Sequence, residues 1–81
     1  MTDNLRPRER IVIGNIQAVI VQIYDASSLE VVYMDDRNRS INDDVIWADG
    51  RWKFKSDGVS GGYADKYDRL KEFVDILRSR G

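Results

Sequence analysis

Isoleucine, valine and tyrosine crowd residues 11 to 24, IVIGNIQAVIVQIY, in a run whose spacing is that of a strand. β-branched and aromatic side chains favour a pleated surface, and the run is longer than an average strand. Its phase changes at Gly14 and Asn15: Ile11 and Ile13 are odd-numbered, whereas Ile16, Ala18 and Ile20 are even. A bulge or bend at Gly14 accounts for the change, and is a device by which a small sheet curls. Residues 1–8, MTDNLRPR, have no apolar period and hold the only proline, so they read as a flexible arm before a single domain over 9–81.

Beyond Tyr24 the pattern alternates with turn chemistry. Asp25, Ser27 and Ser28 mark a turn, and a second strand follows with Leu29, Val31 and Tyr33 facing one way. In the next turn, DDRNR, Asn38 is best suited to a left-handed conformation. A third strand runs from about Arg39 to Ala48, although Asn42, Asp43 and Asp44 equally suit a turn. Asp49 and Gly50 fit both central positions of a type I′ turn. Counting outward from them pairs Ala48 with Arg51, Trp47 with Trp52, Ile46 with Lys53 and Val45 with Phe54. Trp47, Trp52, Val45 and Phe54 therefore share one face.

The sheet ends near residue 55, and KSDGVSGGY reads as a glycine- and serine-rich linker over 56–62. Tyr63, Tyr67, Leu70, Val74 and Leu77 then recur at four- and three-residue steps, widened by Phe73 and Ile76, which predicts an amphipathic helix over 63–79. Asp65 with Arg69, and Lys71 with Asp75, stand one helical turn apart. The fold class that follows is α+β, a small curled antiparallel sheet with a C-terminal helix. The sheet either closes as an SH3-like barrel or stays open with four strands under the helix.

VVYMDDRNRSI resembles the middle of a Tudor-type module, in which a V-x-[FY]-x-D strand leads into an aromatic-Gly-Asn turn. Val31, Tyr33, Asp35 and Asn38 match; Asp36 and Arg37 stand where the aromatic and the glycine are expected. The resemblance spans about a quarter of the chain. It implies an SH3-like barrel, and an aromatic cage for a methylated lysine or arginine held by cation–π attraction, with Tyr33 and Trp47 as walls and one wall missing at the turn.

Composition narrows the chemistry. The 81 residues contain neither cysteine nor histidine, which removes thiolate and imidazole zinc sites and the usual general base. No serine stands in a recognisable nucleophile turn, so catalysis is disfavoured and no cofactor is implied; a carboxylate pair such as Asp35 and Asp44 needs a cleft that only a subunit interface offers so small a domain. A chain of this size buries only roughly 60 to 65% of its unfolded surface, so the core is thin and a second copy of the chain is an expected partner.

Net charge is −1 but uneven. Residues 25–49 hold seven acids against Arg37 and Arg39, a balance of −5, while residues 51–81 hold eight bases against five acids, a balance of +3. Such asymmetry aligns chains or steers charged partners. Asp35, Asp36, Asp43 and Asp44 fail the calcium-loop template, since no glycine stands sixth from Asp36, and read as a solvated acidic rim. GVSGG lacks the Gly-Lys-Ser/Thr ending of a phosphate cradle.

Three functional expectations follow. The first is a non-catalytic protein-binding or assembly module, homodimeric, working through Tyr33, Asp35, Trp47, Trp52 and Phe54 or through the helix stripe. The second is a nucleic-acid binder using Arg6, Arg8, Arg10, Arg78 and Arg80, against which stands the slightly negative net charge. The third is a small-ligand site or enzyme at an oligomer interface. The tryptophan pair itself reads first as core under the helix, because a thin core needs large side chains. The apolar run 11–24 is too short and too interrupted to span a bilayer and no signal-type cleavage pattern follows the first residues, so a cytoplasmic setting is expected.

Overall fold

The computed structural model describes residues 5–55 and 62–79. Five strands follow one another in space as in sequence: β1 (Arg10–Ile13), β2 (Ile16–Asp25), β3 (Ser28–Met34), β4 (Ser40–Ala48) and β5 (Arg51–Phe54). A two-residue strand, β6 (Gly62–Tyr63), pairs with β4 beside Ile41 and Asn42. Every pairing is antiparallel, and the sheet curls into a half-barrel that brings β1 within 8 Å of β5, Cα to Cα. A short C-terminal helix, α1 (Lys71–Arg78), lies outside it against β2 and β3.

Each turn answers to its residues. The bulge or bend expected at Gly14 within one strand is corrected: Gly14 and Asn15 form the two-residue turn between β1 and β2, with Ile13 opposite Ile16. Gly14 has φ +65°, the first central position at which a type II′ turn requires glycine. Four expected strands thereby become five. Asp49 and Gly50 take φ +55° and +79°, as a type I′ turn demands, and the β4–β5 register is the one counted from the sequence. Asn38, at φ +62°, closes the β3–β4 turn by donating its N–H to the Asp35 carbonyl. Asn42 to Asp44 are strand, not turn.

The arm is tied down from Leu5 onward, while residues 1–4 lie outside the described part. Leu5 packs on the core, and the Arg8 N–H donates to the Ile20 carbonyl at 2.8 Å. Arg6 to Glu9 form a type II turn with Pro7 second and Arg8 third, at φ +77°. A left-handed arginine is strained. It is held because its guanidinium pairs with Glu72 and lies 5.6 Å from the centre of the Phe73 ring.

Two apolar clusters occupy the two sides of the sheet. Inside the curl lie Ile11, Ile13, Ala18, Ile20, Leu29, Val31, Val45 and Trp52. Outside lie Val19, Val21 and Val32, covered by Leu70, Phe73, Val74 and Leu77. β2 and β3 are thus covered on both faces, which explains why Ala18–Val21 and Leu29–Val32 are uninterrupted buried runs. A bulge at Val21 shifts the register between Ile20 and Gln22, which puts Val21 under the helix and Gln22 opposite Glu30.

The helix is shorter than its periodicity predicts. Tyr63 joins the sheet through β6, and residues 64–70 form two 3-10 turns, Ala64–Lys66 and Asp68–Leu70, before α1 begins. Leu70, Phe73, Val74 and Leu77 of the expected stripe are buried, while Tyr63 and Tyr67 are exposed, because pairing with β4 displaces the chain from a helical path. Of the expected linker, 56–61 lie outside the described residues.

Candidate binding face and buried carboxylate

The β4–β5 hairpin sets Trp47 directly across from Trp52, with ring centres 5.2 Å apart and edge to face. The curl brings Tyr33 of β3 against Phe54 of β5, with centres 5.0 Å apart and planes tilted by 51°. Such contacts contribute about 0.5 to 1.5 kcal/mol each beyond area burial. Trp52 is 8% exposed and belongs to the inner core, while Tyr33, Trp47 and Phe54 are half-buried against it.

The expectation that the tryptophans lie beneath the helix is therefore corrected. They line the inner side of the sheet, and α1 covers the outer one. The reason is parity: Trp47 and Trp52 share the face of Val45 and Leu29, whereas the helix rests on Val19 and Val32, one residue out of phase. In each aromatic pair one ring packs on the other, so a cation must approach from outside the pair.

Asp35 sits at the end of β3 beside Tyr33, but its carboxylate organises the turn. Oδ1 accepts from the N–H groups of Arg37 and Arg39, at 2.9 and 2.8 Å, and Oδ2 accepts from Arg39 Nε at 3.0 Å. The Arg39 N–H foremost, and then Arg37 N–H and the Arg39 guanidinium, hold it below the usual carboxylate range against the upward pull of burial. Tyr33 is pushed up by burial and then by the charges of Asp43 and Asp35. An open groove of about 670 Å³ runs beside them between the β1–β2 turn and the end of α1, lined by Arg10, Ile16, Tyr33, Met34, Asp35 and Leu77.

The arginines singled out for nucleic acid do not gather into one patch. Arg8 pairs with Glu72, Arg10 donates to the Ile76 carbonyl, and Arg78 pairs with Asp65 at 3.5 Å. Arg6 is exposed, its N–H bonded to Glu9 at 3.2 Å, and Arg80 lies outside the described residues. Arg8 and Arg10 serve to fasten α1 to the start of the sheet. Asp65 and Arg69, expected to pair one helical turn apart, find Arg78 and Glu30 instead, since no α-helix joins them.

Glu30 is the polar centre that sequence reasoning missed. It lies on the outer side of β3, 3% exposed, and accepts from Gln22 Nε2 at 2.7 Å, Asn42 Nδ2 at 2.8 Å and Arg69 Nη2 at 2.9 Å. Burial works to raise its pKa, but the bonds from Arg69, Gln22 and Asn42 outweigh it and leave the group below the ordinary glutamate value. A lone acid inside the apolar run LEVV was the available signal, because a buried carboxylate requires donors. These groups are mutually satisfied and hold no reacting atom, so the cluster braces the fold.

Among the described residues no group of three or more acidic, histidine or cysteine side chains is placed to hold a metal ion, and no helix is long and apolar enough to cross a membrane. No protein family matches the chain, and neither characterised proteins nor solved structures provide a match.

Proposed function

We propose that the chain is a non-catalytic binding or assembly module, working through the aromatic inner face of its sheet and associating with a second copy. The observation that carries this reading is the placing of Tyr33, Trp47 and Phe54: all three are half-buried on the side of the sheet that α1 leaves uncovered. Aromatic side chains of this kind supply large, stiff contact area with little ordering cost, which is why they are enriched at protein interfaces. The resemblance of Val31 to Asn38 to a Tudor-type strand and turn agrees with binding rather than catalysis.

A cytoplasmic setting accompanies the proposal, since a cysteine-free domain that relies on packing needs no oxidative cross-link. Sedimentation velocity at micromolar concentration tests it. A species of twice the 9.4 kDa chain mass is expected, shifting toward the monomer in Trp47→Ala. A monomer at all concentrations overturns the self-association.

A further inference from the structure

Counting along the ladders identifies which main-chain groups of the two outer strands lack a neighbour. Ile13 and Ile16 flank a two-residue turn and form a bonded pair, as then do Ile11 and Ala18. The Ile20 N–H donates to the Glu9 carbonyl at 2.8 Å, which confirms the alternation. The N–H and C=O of Arg10 and Val12 therefore point away from β2. At the other end Ala48 and Arg51, then Ile46 and Lys53, are the bonded pairs, and the Lys55 N–H continues the series to the Asp44 carbonyl at 3.0 Å. The main-chain groups of Trp52 and Phe54 point away from β4.

The curl turns these two edges toward one another. Among the described residues the ladder runs from β1 to β5 without joining β5 back to β1, although the strands approach within 8 Å. Four antiparallel steps make β1 and β5 run in the same direction. A strand entering between them antiparallel to both would continue the alternation and close a six-stranded barrel. Two ladder spacings require about 9.5 Å, so the seam must widen by a few ångströms.

The side chains beside the seam define what fits. On the inner side Ile11, Ile13 and Trp52 form an apolar floor. On the outer side β1 presents Val12, 57% exposed, while the Arg10 guanidinium reaches back to the Ile76 carbonyl; β5 presents Arg51, exposed, and Lys53, paired with Asp49 at 2.7 Å across the hairpin turn. We propose that this seam captures an extended peptide segment whose side chains alternate between apolar and acidic, the apolar set entering the core and the acids meeting Arg51 and, in exchange for the exposed Asp49, Lys53. A second copy pairing β5 to β5 is disfavoured, since that sets Arg51 and Lys53 against their own kind.

The test is a titration with short synthetic peptides that alternate valine with glutamate or valine with lysine, read by amide hydrogen exchange. With the glutamate peptide, exchange at Arg10, Val12, Trp52 and Phe54 is expected to slow, and its affinity should exceed that of the lysine peptide by about tenfold or more, roughly the effect of one or two favourable charge contacts. Val12→Pro removes an outward N–H without touching a β1–β2 bond and should weaken binding. Arg51→Glu, a surface change that leaves Lys53 beside a new acid, should abolish the preference for the glutamate peptide. Equal affinity for both peptides, or no slowing at those four amides, overturns the proposal. The readout is main-chain protection at β1 and β5, so it stands or falls separately from the aromatic face.

Discussion

Arg69 places Nη2 2.9 Å from Oε2 of Glu30, joining a 3-10 turn to the middle of β3 across 39 residues of chain. The arginine is 57% exposed and the carboxylate is buried, so the pair is asymmetric. Removing the arginine leaves the acid with two amide donors in a dry site, a loss of about 2 kcal/mol for a hydrogen bond to a charged group. Arg69→Met should lower the melting temperature by about 10 °C in a domain this small. A shift of under about 2 °C would mean that Gln22 and Asn42 alone satisfy the carboxylate.

The same carboxylate gives the fold an acid limb. Its folded pKa lies below the ordinary value of 4.5, so the stability it contributes is complete above that value and is lost as pH falls through the lower folded value. Denaturant midpoints of the wild type should fall as pH drops below about 4.5. In Glu30→Gln, which starts less stable because an amide cannot accept from all three donors, that part of the slope should be gone; an unchanged slope would assign the acid limb to other carboxylates.

Tyr24 supplies an alkaline counterpart. The residue is 51% exposed, and its hydroxyl donates to Asp44 Oδ1 at 3.0 Å. Burial first, then that bond and the charges of Glu30 and Asp44, raise its pKa from 10.0 to about 12. The folded state thus keeps a proton that the unfolded chain gives up, and the resulting stability is intact below pH 10 and lost as pH rises through about 12. Ultraviolet titration should show two late tyrosines, Tyr24 and Tyr33, and Asp44→Asn should bring Tyr24 down. If Tyr24→Phe removes no part of the late ionisation, the assignment is wrong.

Local chemistry was legible wherever one turn decides its surroundings. Asp49 and Gly50 fixed the β4–β5 register, and Leu29, Val31 and Tyr33 share a face as their alternation requires. Relations between distant segments were not. Trp47 and Trp52 share parity with Leu29, but which side a helix will cover depends on contacts fifty residues away. The side could still have been argued from Val31 and Val32, since consecutive buried valines mark a strand covered on both faces. Tyr63 and Tyr67 kept helical spacing while the chain there was taken by pairing with Ile41. Glu30 enters the sequence reading only as one charge in the acidic balance of residues 25–49, because its donors come from β2, β4 and a 3-10 turn.

Trp47 and Trp52 should separate structure from binding. Trp52 is core, so Trp52→Ala should cost about 3 to 5 kcal/mol in denaturant unfolding. Trp47 is half-buried, and its alanine variant should cost roughly 1 to 2 kcal/mol, in proportion to the smaller apolar area it hides. If the aromatic face is the contact surface, Trp47→Ala should weaken association by more than its stability loss implies. Equal costs for the two variants, with association untouched, would make both rings structural alone.

Gly14 tests the origin of the curl. Its φ of +65° lies where an L side chain is strained, yet a Cβ there would meet nothing within 4 Å. Any penalty in Gly14→Ala is then conformational rather than steric, about 1 to 2 kcal/mol. D-alanine, introduced by chemical synthesis, prefers that φ and should be neutral or slightly stabilising. Asn15→Ala, at the other central position and without a positive φ, should be mild. The three together distinguish a turn that needs a backbone conformation from a site that needs empty space. Equal destabilisation by the L and D forms would show that the β1–β2 turn is crowded after all, and that the pairing of Ile13 with Ile16 does not depend on glycine's conformational freedom.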